Sequence, residues 1–165
     1  RHAISRSSYR TIGKGDIVQL NLSAKIDGYS PAIGLPVVMG KLEGKRRELV
    51  QFCLDAHNWT KDQIKAGVIA SDIAKNFYKL YEDAGYKDNF VYGPCHGTGM
   101  IEVEAPWMET SSDYILKPNM TFQIDTFISG STFGCRWEKG CAITETGVDS
   151  YTDYLDRKGL IELNF

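Results

Sequence analysis

His96, Asp125 and Glu138 are the residues of this chain whose types and settings could do chemistry. His96 stands in Tyr-Gly-Pro-Cys-His-Gly-Thr-Gly, with a Thr between two glycines on its far side. Closely spaced glycines let a backbone turn sharply and approach a ligand where a Cβ would clash. An imidazole held there can ligate a metal or carry a proton near neutral pH. Asp125 falls inside Thr-Phe-Gln-Ile-Asp-Thr-Phe-Ile, an otherwise apolar strand pattern. A carboxylate in such a place is costly unless it is paired, hydrogen-bonded or on a metal. Glu138 ends the next strand, in Arg-Trp-Glu-Lys-Gly. Each acid alone reads first as a solvated surface residue. Together with the Gly-flanked His they suit a site on facing strands. Cys95, beside His96, is a nucleophile only if its thiol pKa is lowered. Trp59, Trp107 and Trp137 read as core or rim aromatics, and His57 as a structural cation ending a helix.

The elements that must position these residues follow from periodicity. Residues 17–26 alternate, with Val18, Leu20, Leu22 and Ala24 on one face, a strand pattern. Asp27-Gly28 is a hairpin turn, and a second strand returns over 29–39, made irregular or placed at an edge by Pro31 and Pro36. Leu49, Phe52, Cys53 and Ala56 recur with helical spacing and predict a helix over 44–57. A turn at Gly67 leads to a second helix, with Ser71 as N-cap, Asp72 in the first turn and Gly85 as the C′ stop. Beyond it the chain is β-rich, with strands predicted over 90–92, 100–103, 120–128, 132–137 and 141–146.

A chain of 165 residues is long enough for one domain with a substantial core. A net charge of −2 offers no electrostatic case for nucleic acid or an anionic membrane. No apolar run approaches a membrane span, and the first ten residues lack the apolar core of a signal peptide. The four cysteines form no CxxC pair. Free thiols in a reducing cytosol are expected over a disulfide framework.

A hairpin, two helices and a strand series carrying Gly- and His-rich, Phe-Gln-Ile-Asp and Arg-x-Glu elements resemble the methionine aminopeptidase, prolidase and creatinase superfamily. The resemblance runs from Arg6 to about Thr152. It implies an α+β pita-bread fold: a curved antiparallel sheet with two covering helices, incomplete at the N-terminus. Residues 1–165 would then be one catalytic-type domain, the C-terminal portion of a pita-bread domain, with any N-terminal domain absent from this chain. It also implies a cytoplasmic homodimer.

The family's metallopeptidases hold two metal ions with Asp, Asp, His, Glu and Glu. Carried over, these positions are Asn21, Ala32, His96, Asp125 and Glu138. The second peptidase His falls on Val103. Two anionic ligands are missing, and paired dications need bridging carboxylates to offset their repulsion. The metal-free creatinase branch is the nearer likeness. Its catalytic His, just upstream of the hairpin, corresponds to His2. Its acid in the returning strand has no counterpart, since Ile33 and Gly34 occupy that neighbourhood.

The expectation is therefore hydrolysis of a C–N bond in a peptide or small molecule, with no cofactor. His96 or His2 would move the proton and Glu138 would share the catalytic work. Asp125, with Asn21, would bind substrate. Two alternatives stay open. One divalent ion (Mn, Co or Zn) could sit on His96, Asp125 and Glu138, since three ligands plus water make an open site. Or the chain could be a non-catalytic module that binds a peptide or partner.

Overall fold

The structure, a computed structural model, describes residues 7–152 and 158–164. An eight-stranded, mainly antiparallel sheet runs β1-β2-β6-β5-β3-β4, with β7 on β6 and β8 on β2. In chain order these are β1 (Ile17–Ser23), β2 (Ala32–Met39), β3 (Cys95–Gly97), β4 (Glu104–Met108), β5 (Thr121–Ser129), β6 (Gly134–Ile143), β7 (Val148–Ser150) and β8 (Ile161–Leu163). Helices α1 (Gly44–Gln63) and α2 (Ala70–Asp83) join β2 to the rest.

The hairpin closes as its sequence predicts. Asp27 (φ 49°) and Gly28 (φ 94°) form a two-residue turn bracketed by an Ile26–Tyr29 bridge. Left-handed geometry at both positions is what a right-twisted hairpin needs. The strands themselves stop short of the turn. Pro36 sits where β2 changes partner. β2 pairs β6 only through Ile33 and Gly34, then pairs β8 in parallel through Val37–Met39. A residue without an N–H suits that crossover.

α1 continues to Gln63, six residues past the expected end. His57 is therefore mid-helix and 1% exposed, not a terminal cation. α2 begins one residue before Ser71: Ile69 is its N-cap, with no side-chain cap, and Ser71 is buried in the first turn. Its end is as expected. Gly85 (φ 74°) donates to the Glu82 carbonyl and Tyr86 to the Tyr81 carbonyl, a Schellman close.

Both helices pack on one face of the sheet. Val50, Cys53, Leu54, Phe77 and Tyr81 meet Leu35, Val37, Ile128, Cys135 and Trp137. A second cluster joins Ile73 and Ala74 to Cys95, Phe122, Ile124, Cys141 and Ile143. The alternate residues of the same strands, His96, Gln123, Asp125, Arg136 and Glu138, therefore point to the other face. No helix among the described residues is long and apolar enough to cross a membrane.

Three strand expectations shift. Residues 90–92 form no strand: they make an isolated Phe90–Ile128 bridge, and the Tyr92 carbonyl accepts from the Phe127 N–H. Residues 100–103 form an exposed loop, and the strand starts at Glu104. The two strands expected over 132–137 and 141–146 are one, β6. The polar Glu-Lys-Gly step between them reads as a break, but Glu138 and Lys139 are both buried, on opposite faces of one continuous strand.

Candidate active site

Two facts of backbone geometry place His96. The β3–β4 register shifts between His96 and Gly97, so that His96 faces Trp107 and Gly97 faces Glu104. At Gly97 a Cβ would lie 2.6 Å from the Ala105 carbonyl oxygen, so only glycine lets the strands meet. That close approach is the reason for the glycine after the histidine. The ring is 1% exposed and lies 6.1 Å from that of Trp107 and 6.3 Å from that of Tyr92, centroid to centroid. Nδ1 lies 2.9 Å from the Gly97 carbonyl oxygen. A carbonyl only accepts, so Nδ1 carries the proton and donates. Nε2 is left as the basic atom.

Nε2 faces two buried carboxylates, Asp125 Oδ2 at 3.7 Å and Glu138 Oε1 at 3.8 Å. Asp125 and Glu138 are direct cross-strand partners, in one row with Gly34 and Asn21. His96, which pairs with Gln123 in the next inward-facing row, meets Asp125 and Glu138 as the sequence suggests. Asn21 shares the face but is exposed. Its Oδ1 reaches over Gly34, to 3.1 Å from where a Cβ there would lie, a point 2.8 Å from Arg136 Nε and 3.0 Å from Glu138 Cβ. Val103 lies in the exposed loop. His2 falls outside the described residues.

The residue that sequence reasoning missed is Arg136. It is 6% exposed and lies between the two acids. Nε is 3.6 Å from Asp125 Oδ1, and a terminal nitrogen pairs with Glu138 Oε2. The guanidinium also stacks 5.1 Å from the Phe127 ring centroid. Two neighbours hold it. The Gln19 amide donates to the Arg136 carbonyl (3.1 Å) and accepts from its N–H (2.9 Å). This supplies the ladder bonds that Pro36 cannot. Gly34 leaves the space, since a Cβ there would lie 2.8 Å from Arg136 Nε. The sequence signal was present in Arg-x-Glu, where residues two apart on a strand share a face.

Burial pushes the Asp125 carboxyl up to about 7, with Arg136 and His96 pulling it down. Burial also pushes the Cys95 thiol well up. Cys95 points into the helix-facing core, opposite to His96. It has neither the ionisation nor the position of a nucleophile. All four cysteines are buried and outside any disulfide, as expected.

Donor chemistry decides what metal this site fits. Asn21 is neutral and exposed, Ala32 offers no donor, and a protein cation already lies between Asp125 and Glu138. This set does not fit two dications. Among the described residues, the His/Cys/Asp/Glu group with ligand atoms all within 4.8 Å of one another is His96, Glu102 and Glu138. Glu102 takes the place of Asp125 in the expected single-ion set. Glu102 comes from the exposed loop, where the sequence cannot tell an inward acid from a solvated one. His96 Nε2 and Glu138 Oε1 are buried without a hydrogen-bond partner among the described residues. The group therefore fits one ion in donor type.

The profile of metallopeptidase family M24 matches residues 1–145. The chain belongs to metallopeptidase family M24. The Xaa-Pro dipeptidase of Pyrococcus furiosus is 28% identical over 147 residues, covering 88% of this chain and 42% of that protein. A solved Xaa-Pro dipeptidase from Bacillus anthracis superposes with TM-score 0.84 at 27% identity, over 94% of this chain and 44% of its own. The prolidase from Thermococcus sibiricus gives TM-score 0.88 at 26% identity, over 97% and 43%. The M24 chain thus spans less than half the length of these relatives, and its fold is the pita-bread fold expected.

Proposed function

We propose that the M24 chain is a hydrolase of a C–N bond in a peptide or small amide, with an Xaa-Pro dipeptide as the first substrate class to test. The supporting observation is His96 Nε2, basic and buried, 3.7 and 3.8 Å from two carboxylates that share one arginine. Water held between these groups gives a proton to Nε2, and its oxygen attacks the carbonyl carbon. The imidazolium that forms is stabilised by Glu138. Asp125 is held near neutrality by burial and keeps a proton to give to the leaving nitrogen as the C–N bond breaks. His96 then returns its proton to Asp125, so the cycle closes without net change. Arg136 pairs with Glu138 and aims both acids, a positioning role.

His96→Ala should lower turnover of an alanyl-proline dipeptide by about 10²- to 10⁴-fold, with thermal melting showing a folded protein. A variant as active as the parent would remove His96 from the mechanism. Binding of the dipeptide without turnover in the parent chain would instead select a binding module.

A second reading rests on the His96, Glu102 and Glu138 group. One divalent ion on these residues would supply Lewis-acid polarisation of the substrate carbonyl. Elemental analysis of protein purified without added metal separates the two. The first reading expects far less than one ion per chain. One ion retained by the parent and lost in Glu102→Gln selects the second.

A further inference from the structure

When water attacks a carbonyl carbon, the C=O electron pair moves onto oxygen, and an active site answers that charge with a hydrogen-bond donor. The buried cation of this site is already engaged, since Arg136 pairs with Asp125 and Glu138. The N–H groups of β3, β5 and β6 lie in the plane of the sheet, between paired strands, and not out of its face. The Gln123 amide donates to the Ala32 carbonyl. Asn21 stands on β1, with three strands between it and β3.

Tyr92 is placed differently. Its carbonyl accepts from the Phe127 N–H and that of Pro94 from the Asp125 N–H, so residues 92–94 run alongside β5. At Gly93 (φ 138°) a Cβ would lie 2.9 Å from the Phe77 ring and 3.1 Å from the Asp125 carbonyl oxygen, so the chain is pressed onto β5 at that point. The Tyr92 ring stands perpendicular to that of Phe127, centroids 5.7 Å apart, and 6.3 Å from the His96 ring. Phe127 lies two residues from Asp125 and shares its face. His96 pairs with Gln123, two residues to the other side. The imidazole and the phenol therefore flank Asp125 along the strand, one on each side. Tyr92 is half-buried, and its hydroxyl makes no hydrogen bond among the described residues. Burial pushes the phenol pKa up, and the Asp125 charge adds to this. The hydroxyl keeps its proton well above neutrality.

We propose that the Tyr92 hydroxyl donates a hydrogen bond to the oxyanion of the tetrahedral intermediate. The inference rests on the hydrolytic reading of the site. The substrate carbonyl then lies over Asp125, with His96 Nε2 presenting the water from one side and Tyr92 Oη meeting the oxygen from the other. No proton leaves Tyr92. The bond strengthens as charge builds on oxygen, and relaxes when the C–N bond breaks and the carbonyl re-forms. Phe127 holds both neighbours of this step, with the Arg136 guanidinium over its ring and Tyr92 perpendicular to it.

Tyr92→Phe keeps the ring and its packing and removes only the donor. Its melting temperature should match the parent's and its KM for alanyl-proline should be unchanged. Its kcat should fall about 10²- to 10³-fold, the usual loss for one oxyanion donor. A phosphinic analogue of alanyl-proline, with a charged oxygen where the intermediate has its own, reads the same contact without turnover. In calorimetric titration Tyr92→Phe should bind it at least about tenfold more weakly than the parent, the worth of one hydrogen bond to a charged group. A Tyr92→Phe enzyme as active as the parent, or equal affinity of the two for the analogue, would overturn the proposal. So would a loss in Trp107→Phe with Tyr92→Phe unchanged, which would make the Trp107 indole the donor. A parent that binds the analogue through Tyr92 but cleaves no dipeptide sinks the hydrolase and leaves the anion contact. Cleavage that survives Tyr92→Phe does the reverse. A parent that neither binds the analogue nor cleaves the dipeptide ends both.

Discussion

Arg136→Met should destabilise the chain by about 3–5 kcal/mol, the cost of leaving a buried carboxylate without its partner. The ion pairs elsewhere differ in kind. Lys79–Asp83 is exposed, with side chains 67% and 61% accessible, and water screens such a pair. Arg136 is buried, serves two acids, and is pinned through its own backbone by Gln19. Met matches much of the stem's volume, so the loss reports charge and not a cavity. Urea denaturation of the parent, Arg136→Met, Glu138→Gln and the double variant closes a thermodynamic cycle. Glu138→Gln should recover part of the loss only when Arg136 is already gone. A loss under about 1 kcal/mol would mean that Arg136 is not the counter-ion of this pocket. The same variant carries a chemical consequence. With the guanidinium removed, His96, Glu102, Glu138 and Asp125 share a more negative pocket, and Mn²⁺ or Zn²⁺ should bind more tightly than in the parent.

This role for Arg136 shows what a sequence can carry and where it stops. The hairpin turn, the Gly85 stop and the placement of His96, Asp125 and Glu138 on one side of the sheet were legible, because each rests on local stereochemistry or strand alternation. Arg136 is half of Arg-x-Glu, and the alternation that places Glu138 inward places it inward too. An arginine among strand residues nevertheless reads first as solvated. Only the glycine at position 34 and the Gln19 bridge across Pro36 make the space and the support that bury it. Both come from strands far away in the chain, and single-sequence periodicity does not report cross-strand neighbours. Gly34 had registered only as the lack of an acid. Glu102 failed for another reason. It sits in a loop, and no period governs which way a loop residue turns.

The helix boundaries illustrate a different limit. His57 marks the place where an amphipathic pattern could end with a cation, yet α1 runs on to Gln63. Thr60, on the added turn, is fully buried and donates to the Ala56 carbonyl. Packing of that extra length against the sheet outweighs the weaker local preference, as tertiary contacts commonly do.

Asp125→Asn carries the second large effect, and its sign is unusual for an acid. The Asp125 carboxyl is near 4 in an unfolded chain and is pushed up to about 7 in the fold, by burial first. The folded protein therefore holds this proton more tightly than the unfolded chain. Its contribution to stability is fully present below about pH 4 and is lost as pH rises through 7. Above that the loss levels off at about 4 kcal/mol, three pKa units at roughly 1.4 kcal/mol each. Asn keeps the shape and cannot ionise. The stability of Asp125→Asn relative to the parent should therefore climb between pH 4 and 7 and stay flat beyond pH 8, as read by urea denaturation at each pH. Turnover obeys the same proton. In the parent it should fall as pH rises through 7, when Asp125 no longer protonates the leaving nitrogen, and in the variant it should be low throughout. The opposite slope, with the parent gaining on the variant as pH rises, would show Asp125 ionised at neutrality. A carboxylate so buried stays ionised only beside more positive charge than Arg136 supplies, which would turn the site over to the single-ion reading.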